Sequence, residues 1–445
     1  MENTTQNVLF AAGQDASEHS PVTAPLPLAE PRLRVADRAQ LLMRPCSLED
    51  VVGPEHPVRI VWALVCRWDL SLFLLSIAAR GEASGRAATD PRILICLWLY
   101  ACIRGISSGR ELDRLCESDD AFRWICGGVS LNYHTINDLR VDHEEALDDL
   151  LTQMVAALLS ADVISVERIS GDGTRVRAGA GRDSFKTAPT LAEHLAEARA
   201  HVEALKRQGE DPAMSAQRQK AIERAARERM ERLERAIEEV KKVEQAKAKQ
   251  KEKRSKHQPA KASETDPEAR QMRMPGGGTA PGYNVQFAVA TEGRAIVGVD
   301  VTNAGSDVHE SQPMREQVEE RTGQKVLEHL MDGGYIGLES VEQSAAAGTT
   351  VYAPVPKPRN KNVDPHRPKK TDSQAVAQWR QRMGTDAAKA IYKERASTVE
   401  TANGECKAYR GLKQILVRGI DKVRCVALLS ALAYNIVHFG KHLIA

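Results

Sequence analysis

The sequence predicts an α/β protein: a mixed sheet flanked by helices, preceded by an all-helical N-terminal domain and interrupted by a helical-hairpin (coiled-coil) insertion. Three observations predict it. Apolar residues recur at helical spacing from about 41 to 160, strict alternation replaces that spacing after about 280, and between them lies a charged, glycine-poor stretch with only a thin apolar stripe. The 445 residues exceed one small core, and at roughly 150 residues per domain they suggest about three units.

Composition narrows the class. With 62 Lys+Arg against 60 Asp+Glu, the net charge of +2 excludes a histone-like polycation, so attraction to a polyanion has to come from local patches. Hydrophobic residues at 42% support a sizeable core and argue against wholesale disorder. The two longest uncharged apolar runs, Ile93 to Ile103 and Cys425 to Val437, are shorter than the roughly 20 residues a bilayer requires and read as buried helices. No basic start with an apolar stretch opens the chain, so a cytoplasmic protein with no membrane partner is expected. The eight cysteines include no Cys-x-x-Cys pair and read as buried thiols, not as a zinc or disulfide framework.

Residues 1–40 carry Pro21, Pro25, Pro27 and Pro31 among Thr, Ala and Ser, and read as a flexible arm. Residues 41–160 form the helical domain. Thr89-Asp90-Pro91 is a helix start before Ile93 to Leu99, Gly105 can stop that helix, and Ser107 or Ser108 can cap the next. Arg104, Arg110, Arg114, Arg123, His134 and Arg140 punctuate the segment. Their spacing fits a helix-turn-helix-like module laid on DNA and fits solvated arginines on ordinary amphipathic helices equally well.

Residues 191–260 read as two antiparallel helices turning at Gly209-Glu210-Asp211-Pro212, with Leu191, Leu195, Ala198, Val202 and Leu205 facing Ile222, Met230, Leu233, Ile237 and Val240. Within it, Lys241 to Lys256 holds eight Lys/Arg against two Glu, either a solvated face or an arm for phosphates.

Residues 161–190 and 261–445 carry the β/α text. Tyr283 to Ala290 alternates, Glu292-Gly293-Arg294 turns, and Ala295 to Val301 returns as the second strand of a hairpin. Further strands are expected near Val326 to Met331 and Thr350 to Ala353, with helices near 310–321, 338–347 and through 386–437.

Three acidic residues stand out. Asp172 follows the strand-like Val163 to Ile169 in Gly171-Asp172-Gly173, Asp332 ends a second strand in Asp332-Gly333-Gly334-Tyr335, and Glu400 lies in a helical stretch beginning near Tyr392. Carboxylates gathered at strand ends repel one another unless cations neutralise them, and hard oxygen ligands select Mg²⁺ or Mn²⁺. Two such ions can activate an attacking oxygen and stabilise a leaving one in phosphodiester displacement. Strand-end Asp-Gly is also an ordinary turn signal. Asn403 and Lys407 follow Glu400 on the same helical face, with Arg395 and Tyr392 one to two turns earlier. Asp300, inside a strand, and Asp307, in a loop entering a helix, read as surface or capping residues. The glycines of 276–282 lack a P-loop ending, no Gly-x-Ser-x-Gly elbow is present, and His309, His329 and His438 share no metal-like spacing.

Taken together, these residues resemble the DDE transposases of bacterial insertion sequences, in the group with a helical InsH-type N-terminal domain. The markers are Asp90-Pro91-Arg92 with Ser107 to Leu112, Gly171-Asp172-Gly173-Thr174, Thr265 to Arg270, Gly282-Tyr283-Asn284-Val285-Gln286, Asp332-Gly333-Gly334-Tyr335, and Tyr392 to Lys407 with Arg418-Gly419. The resemblance implies an RNase H-like catalytic fold with Asp172, Asp332 and Glu400 as its acids and as ligands of two Mg²⁺ or Mn²⁺ ions. It implies DNA contacts from Tyr392, Arg395 and Lys407, in a homodimer formed on DNA at the nucleoid; the helix-turn-helix-like spacing adds Arg110 and Arg140 as expected DNA contacts. The implied reaction is metal-dependent cleavage at terminal inverted repeats and strand transfer by a 3′-hydroxyl. After the third acid many relatives carry Phe-Gly, whereas this chain reads Thr401-Ala402-Asn403-Gly404, and the hairpin insertion is long for the fold. A non-catalytic DNA-binding regulator or inactive remnant is the rival reading, disfavoured by the intact trio.

Overall fold

The computed structural model describes residues 45–81, 87–208, 215–250, 259–358, 360 and 362–444. The expected arm at 1–40, the turn at 209–212 and the end of the basic stretch at 251–256 lie outside the described residues. Residues from Ser47 onward form one compact unit.

Helices α1 (Pro57–Arg67), α2 (Ser71–Leu75), α3 (Pro91–Ile103), α4 (Gly109–Ser118), α5 (Asp120–Cys126), α6 (Tyr133–Asp142) and α7 (Glu144–Ser160) come first. Their starts are written in the sequence. Asp90 caps α3 by accepting from the Arg92 N–H at 2.9 Å, with Pro91 in the first turn, and Ser108, Asp119 and Asn132 cap α4, α5 and α6 through their side chains. Apart from Arg92, α3 is buried on every side from Pro91 to Cys102. It is apolar all round because it has no solvent face, and each buried Leu or Ile there is worth roughly 1.5–3 kcal/mol. Trp98, at its centre, donates its indole N–H to the Ile136 carbonyl at 2.6 Å.

Strand β1 (Ser165–Arg177) follows, then β2 (Phe185–Lys186) and the hairpin of α8 (Ala188–Gln208) and α9 (Ala216–Gln250), which pack through Leu191, Leu195, Ala198, Leu233, Ala236 and Val240. Next come β3 (Ala262–Ser263), β4 (Arg270–Arg273), β5 (Thr279–Glu292) and β6 (Ile296–Thr302). The β5–β6 turn places Gly293 and Arg294 at φ 78 and 68, the left-handed pair of a tight hairpin. The chain then alternates: α10 (Ser311–Thr322), β7 (Glu328–Met331), α11 (Leu338–Ala346), β8 (Thr350–Tyr352), and helices α12 (Gln374–Gly384), α13 (Asp386–Ser397), α14 (Val399–Tyr409) and α15 (Ile420–Ile444).

The main sheet is mixed. β5 lies antiparallel to β1 on one side and to β6 and β4 on the other, while β1, β7 and β8 run parallel. Two strand expectations change. β1 continues through Asp172 to Arg177, so Asp172 sits inside a strand and not at its exit, because the long β5 pairs with β1 past that point. β4, with its alternation of Arg270, Gln271, Met272 and Arg273, is a strand that the spacing did not announce.

A single core joins the helical segment to one sheet face through α3, α7 and α15, and a second cluster around Leu330, Tyr352, Trp379 and Met383 fills the space under α11, α12 and α13. By length and composition α15 is long enough to cross a bilayer, but most of it is buried in this core. Its N-terminus is held by two acids, Asp266 buried and Glu268 half-buried: Asp266 accepts from the Tyr283 hydroxyl at 2.6 Å and from the Gly419 N–H at 3.2 Å, and Glu268 accepts from the Ile420 N–H at 3.0 Å. Carboxylates at a helix N-terminus meet both the free N–H groups and the positive end of the dipole. The Thr265 to Arg270, Tyr283 and Arg418-Gly419 markers therefore meet in one structural joint. Cys96, Cys102, Cys126, Cys406 and Cys425 are buried thiols as expected, Cys116 is half-buried, and Cys46 and Cys66 are exposed.

Candidate active site

The parallel pairing of β1 with β7 sets Gly171 opposite Met331. Asp172 and Asp332 are the residues that follow this pair on the two strands, and the Asp332 charge is among those acting on Asp172. Two of the three singled-out acids thus follow corresponding positions of adjacent parallel strands.

The third arrives on a helix. α13 ends at Thr398, whose backbone (φ −112, ψ −97) leaves the helical region before α14 begins. The single helix expected from Tyr392 through Glu400 is therefore two helices meeting at a corner. Tyr392 and Arg395 lie on one side of the corner, and Glu400, Asn403 and Lys407 on the other. Arg395 bridges the acids: its Nη2 lies 2.9 Å from Asp172 Oδ1, and its Nη1 pairs with Glu400 Oε1. Asn403 Nδ2 donates to the other Asp172 oxygen at 3.2 Å. Asn403 was legible only as a neighbour of Glu400 on one helical face; its contact with Asp172 was not.

Electrostatics follow from this crowding. Burial pushes the Asp172 carboxyl up to about 6; Arg395 opposes the shift, and Asp332, Asp307 and Glu400 add to it. Burial lowers the Lys407 ammonium and Asp172 draws it back up. Burial raises the Tyr392 phenol; Arg395 opposes this and Asp332, Glu400 and Asp172 reinforce it. Among the described residues no three His, Cys, Asp or Glu side chains surround a common point as metal ligands, and Arg395 bridges Asp172 and Glu400.

Asp307 departs from expectation. It does not cap α10, whose N-cap residue is Glu310. Its carboxylate instead accepts from Asn284 Nδ2 at 2.5 Å and Gln286 Nε2 at 2.8 Å, and it is among the charges acting on Asp172. The alternation of Asn284 and Gln286 in β5 was the available signal, since a buried strand face carrying two amides needs polar partners.

The two arginines of the helical segment lie apart from the acids. Arg110 is exposed on α4, with its guanidinium 5.3 Å from the Tyr133 ring centre. Arg140 is a correction to the DNA-contact expectation. It is buried, donates to the Ser107 carbonyl at 2.6 Å and to Asn137 at 3.1 Å, and lies 4.2 Å from the Trp98 ring centre. Buried and with Nη1 and Nη2 already engaged, it serves the packing between α3, α4 and α6 and does not face a phosphate, and burial lowers its guanidinium to about 10.

Two family models match the chain. One, described as a transposase DDE domain, matches residues 358–439, which include Tyr392, Arg395, Glu400 and Lys407; the other, described as a transposase domain (DUF772), matches residues 46–142. Neither curated proteins nor solved structures furnish a match.

Proposed function

We infer, from the premise that the chain is a DDE-type transposase of the insertion-sequence type, that it cuts DNA at the terminal inverted repeats of its element and joins the freed 3′ ends to target DNA. The observation that supports this reading is the β1–β7 pairing just before Asp172 and Asp332, with Arg395 tying Asp172 to Glu400. The sheet and its helices are read as an RNase H-like catalytic domain (161–190 and 261–445), residues 41–160 as a helical DNA-binding domain, and 191–260 as an inserted helical hairpin. A homodimer assembled on DNA in the cytoplasm, at the nucleoid, completes the reading.

The donor set fits Mg²⁺ or Mn²⁺. It is all oxygen, and burial has raised the Asp172 carboxyl among three further acids, a state that added positive charge relieves. Asp172, Asp332 and Glu400 would hold the ions. When bound, a pair of divalent cations supplies the charge that activates an attacking oxygen and stabilises the leaving one. Arg395 provides positive charge between Asp172 and Glu400 in the metal-free protein. Asn403 fixes the Asp172 carboxylate, so that its second oxygen keeps one direction. Lys407, which has no ion-pair partner among the described residues, is the cation placed to grip the scissile phosphate, with Tyr392 near the same acids, while Arg395 stays committed to Asp172 and Glu400.

The test is cleavage of the element's own terminal repeats with Mg²⁺ and with chelator. Asp172→Asn, Asp332→Asn and Glu400→Gln should each abolish cutting while DNA retention on a gel persists, because phosphate contacts come from other residues. Undiminished cutting by any one of them removes that residue from the site.

A further inference from the structure

The loop between β6 and α10 brings a fourth carboxylate to the acids, and everything around it serves to aim it. Asp307 Oδ1 is held by the amides of Asn284 and Gln286, at 2.5 and 2.8 Å. Gln286 is itself fixed, since its Oε1 accepts from the buried Tyr335 hydroxyl, which turns its NH₂ toward Asp307. Both amides lie on β5 over Gly173, the residue after Asp172. Only glycine leaves room there: a Cβ would stand 2.3 Å from Asp307 Oδ1, 2.6 Å from Gln286 Nε2 and 2.8 Å from Asn284 Oδ1.

With Oδ1 committed to two donors, the other oxygen faces the site. Over Gly334, a Cβ would lie 3.7 Å from Asp307 Oδ2 and 3.9 Å from Asp332 Oδ2, so these two carboxylates look onto the same small space. No hydrogen bond or ion pair engages either oxygen among the described residues. A second feature points the same way. Asn284 is 1% exposed, and its Oδ1, directed over Gly173 beside Asp307, is buried without a donor. Two carboxylate oxygens turned to one space over Gly334, with an unsatisfied buried amide oxygen over Gly173 on the far end of the same Asp307 carboxylate, make a hard, electron-rich neighbourhood that calls for a cation.

We propose that Asp307 is a fourth acid of the metal centre, binding a divalent cation jointly with Asp332, with the Asn284–Gln286 pair as its positioning residues. The assignment rests on the reading of Asp172, Asp332 and Glu400 as metal-binding acids. It makes glycine at 173 and 334 a requirement of the site, since side chains there would fill the space the carboxylates share.

The test titrates Mn²⁺ alone into the full chain, following bound ion by electron paramagnetic resonance and the Mn²⁺-induced rise in Tm. Asp307→Asn should leave the metal-free Tm close to that of the parent, lower Mn²⁺ affinity at least about tenfold and remove most of the Tm rise. Gln286→Met keeps every acid but frees one of the amides that aim Asp307, and should weaken Mn²⁺ binding in the same direction. Parental Mn²⁺ binding by both variants, with binding lost in Asp172→Asn, overturns the assignment alone. Parental binding in Asp172→Asn as well overturns the metal-centre reading beneath it.

Discussion

Arg395 Nη2 and Asp172 Oδ1 stand 2.9 Å apart with only 9% and 19% of their side chains exposed, although the two residues come from opposite halves of the chain. The pair joins the first strand of the sheet to the helix pair at its C-terminal side. The second arm of the same guanidinium reaches Glu400 across the corner at Thr398. A planar fork can span two carboxylates at once; an ammonium on a flexible stem meets them as a single point charge. Arg395→Lys therefore keeps the charge and loses the bridge. Cleavage should fall about 10–100-fold, the equivalent of one charge-assisted hydrogen bond of roughly 1.5–3 kcal/mol, with DNA affinity changed far less. Cutting at the parental rate would show that the bridge has no part in the chemistry.

The Asp172 carboxyl sets a pH dependence of stability in metal-free buffer. Its folded pKa is raised to about 6 from an unfolded value near 3.9, so between those limits the folded state holds a proton that the unfolded state has released. Stability from this group is greatest below about pH 4, declines as pH rises through 6, and the decline amounts to about 3 kcal/mol. Asp172→Asn has no such proton. Relative to the parent it should gain stability steadily from pH 4 to 7, as followed by urea unfolding at each pH, and Mn²⁺ should erase the difference by stabilising the parent alone. A difference that stays flat across that window would place the raised carboxyl elsewhere.

The helices and the central hairpin were legible because each obeys a local rule. Asp90-Pro91 starts α3 where a cap and a proline should, and Gly293-Arg294 turns the hairpin through two left-handed residues. The acids Asp172 and Asp332 were legible as glycine-flanked carboxylates beside apolar runs. Their adjacency depends on the register of β1 with β7, which no local pattern encodes. Asp307 was misread for the same reason, since a loop acid before a helix is ordinarily a cap, and only the long-range approach of Asn284 and Gln286 turns it inward. His329 shows the opposite case. A lone strand histidine proved to be a core residue, wholly buried against Gly171, where burial brings its pKa down to about 3 and keeps it neutral. The short β4 escaped notice because its four residues alternate around a single buried side chain, Met272.

The outer edge of β6 supplies the last prediction. β6 pairs with β5 on one side, and on the other its backbone is satisfied by side-chain amides. Asn435 of α15 accepts from the Ile296 N–H at 2.9 Å and donates to the Ile296 carbonyl at 2.8 Å, while Gln317 of α10 does the same for Val299 at 2.8 and 3.0 Å. Each amide stands in for the next strand, which closes an edge that would otherwise offer open hydrogen bonds. Asn435 is fully buried, so water cannot replace it. Asn435→Leu keeps the branched shape, adds some bulk and strands both Ile296 groups, which should cost about 2–5 kcal/mol of unfolding free energy. Asn435→Asp restores the acceptor, but at neutral pH it sets a buried carboxylate against the Ile296 carbonyl. Its folded pKa should be raised, so the loss relative to the parent should be smallest near pH 4 and grow as pH rises toward 8. Urea unfolding of both variants at pH 5 and 8 checks the pair. A leucine variant within 0.5 kcal/mol of the parent, or an aspartate variant indifferent to pH, would mean that α15 does not close the sheet edge in solution.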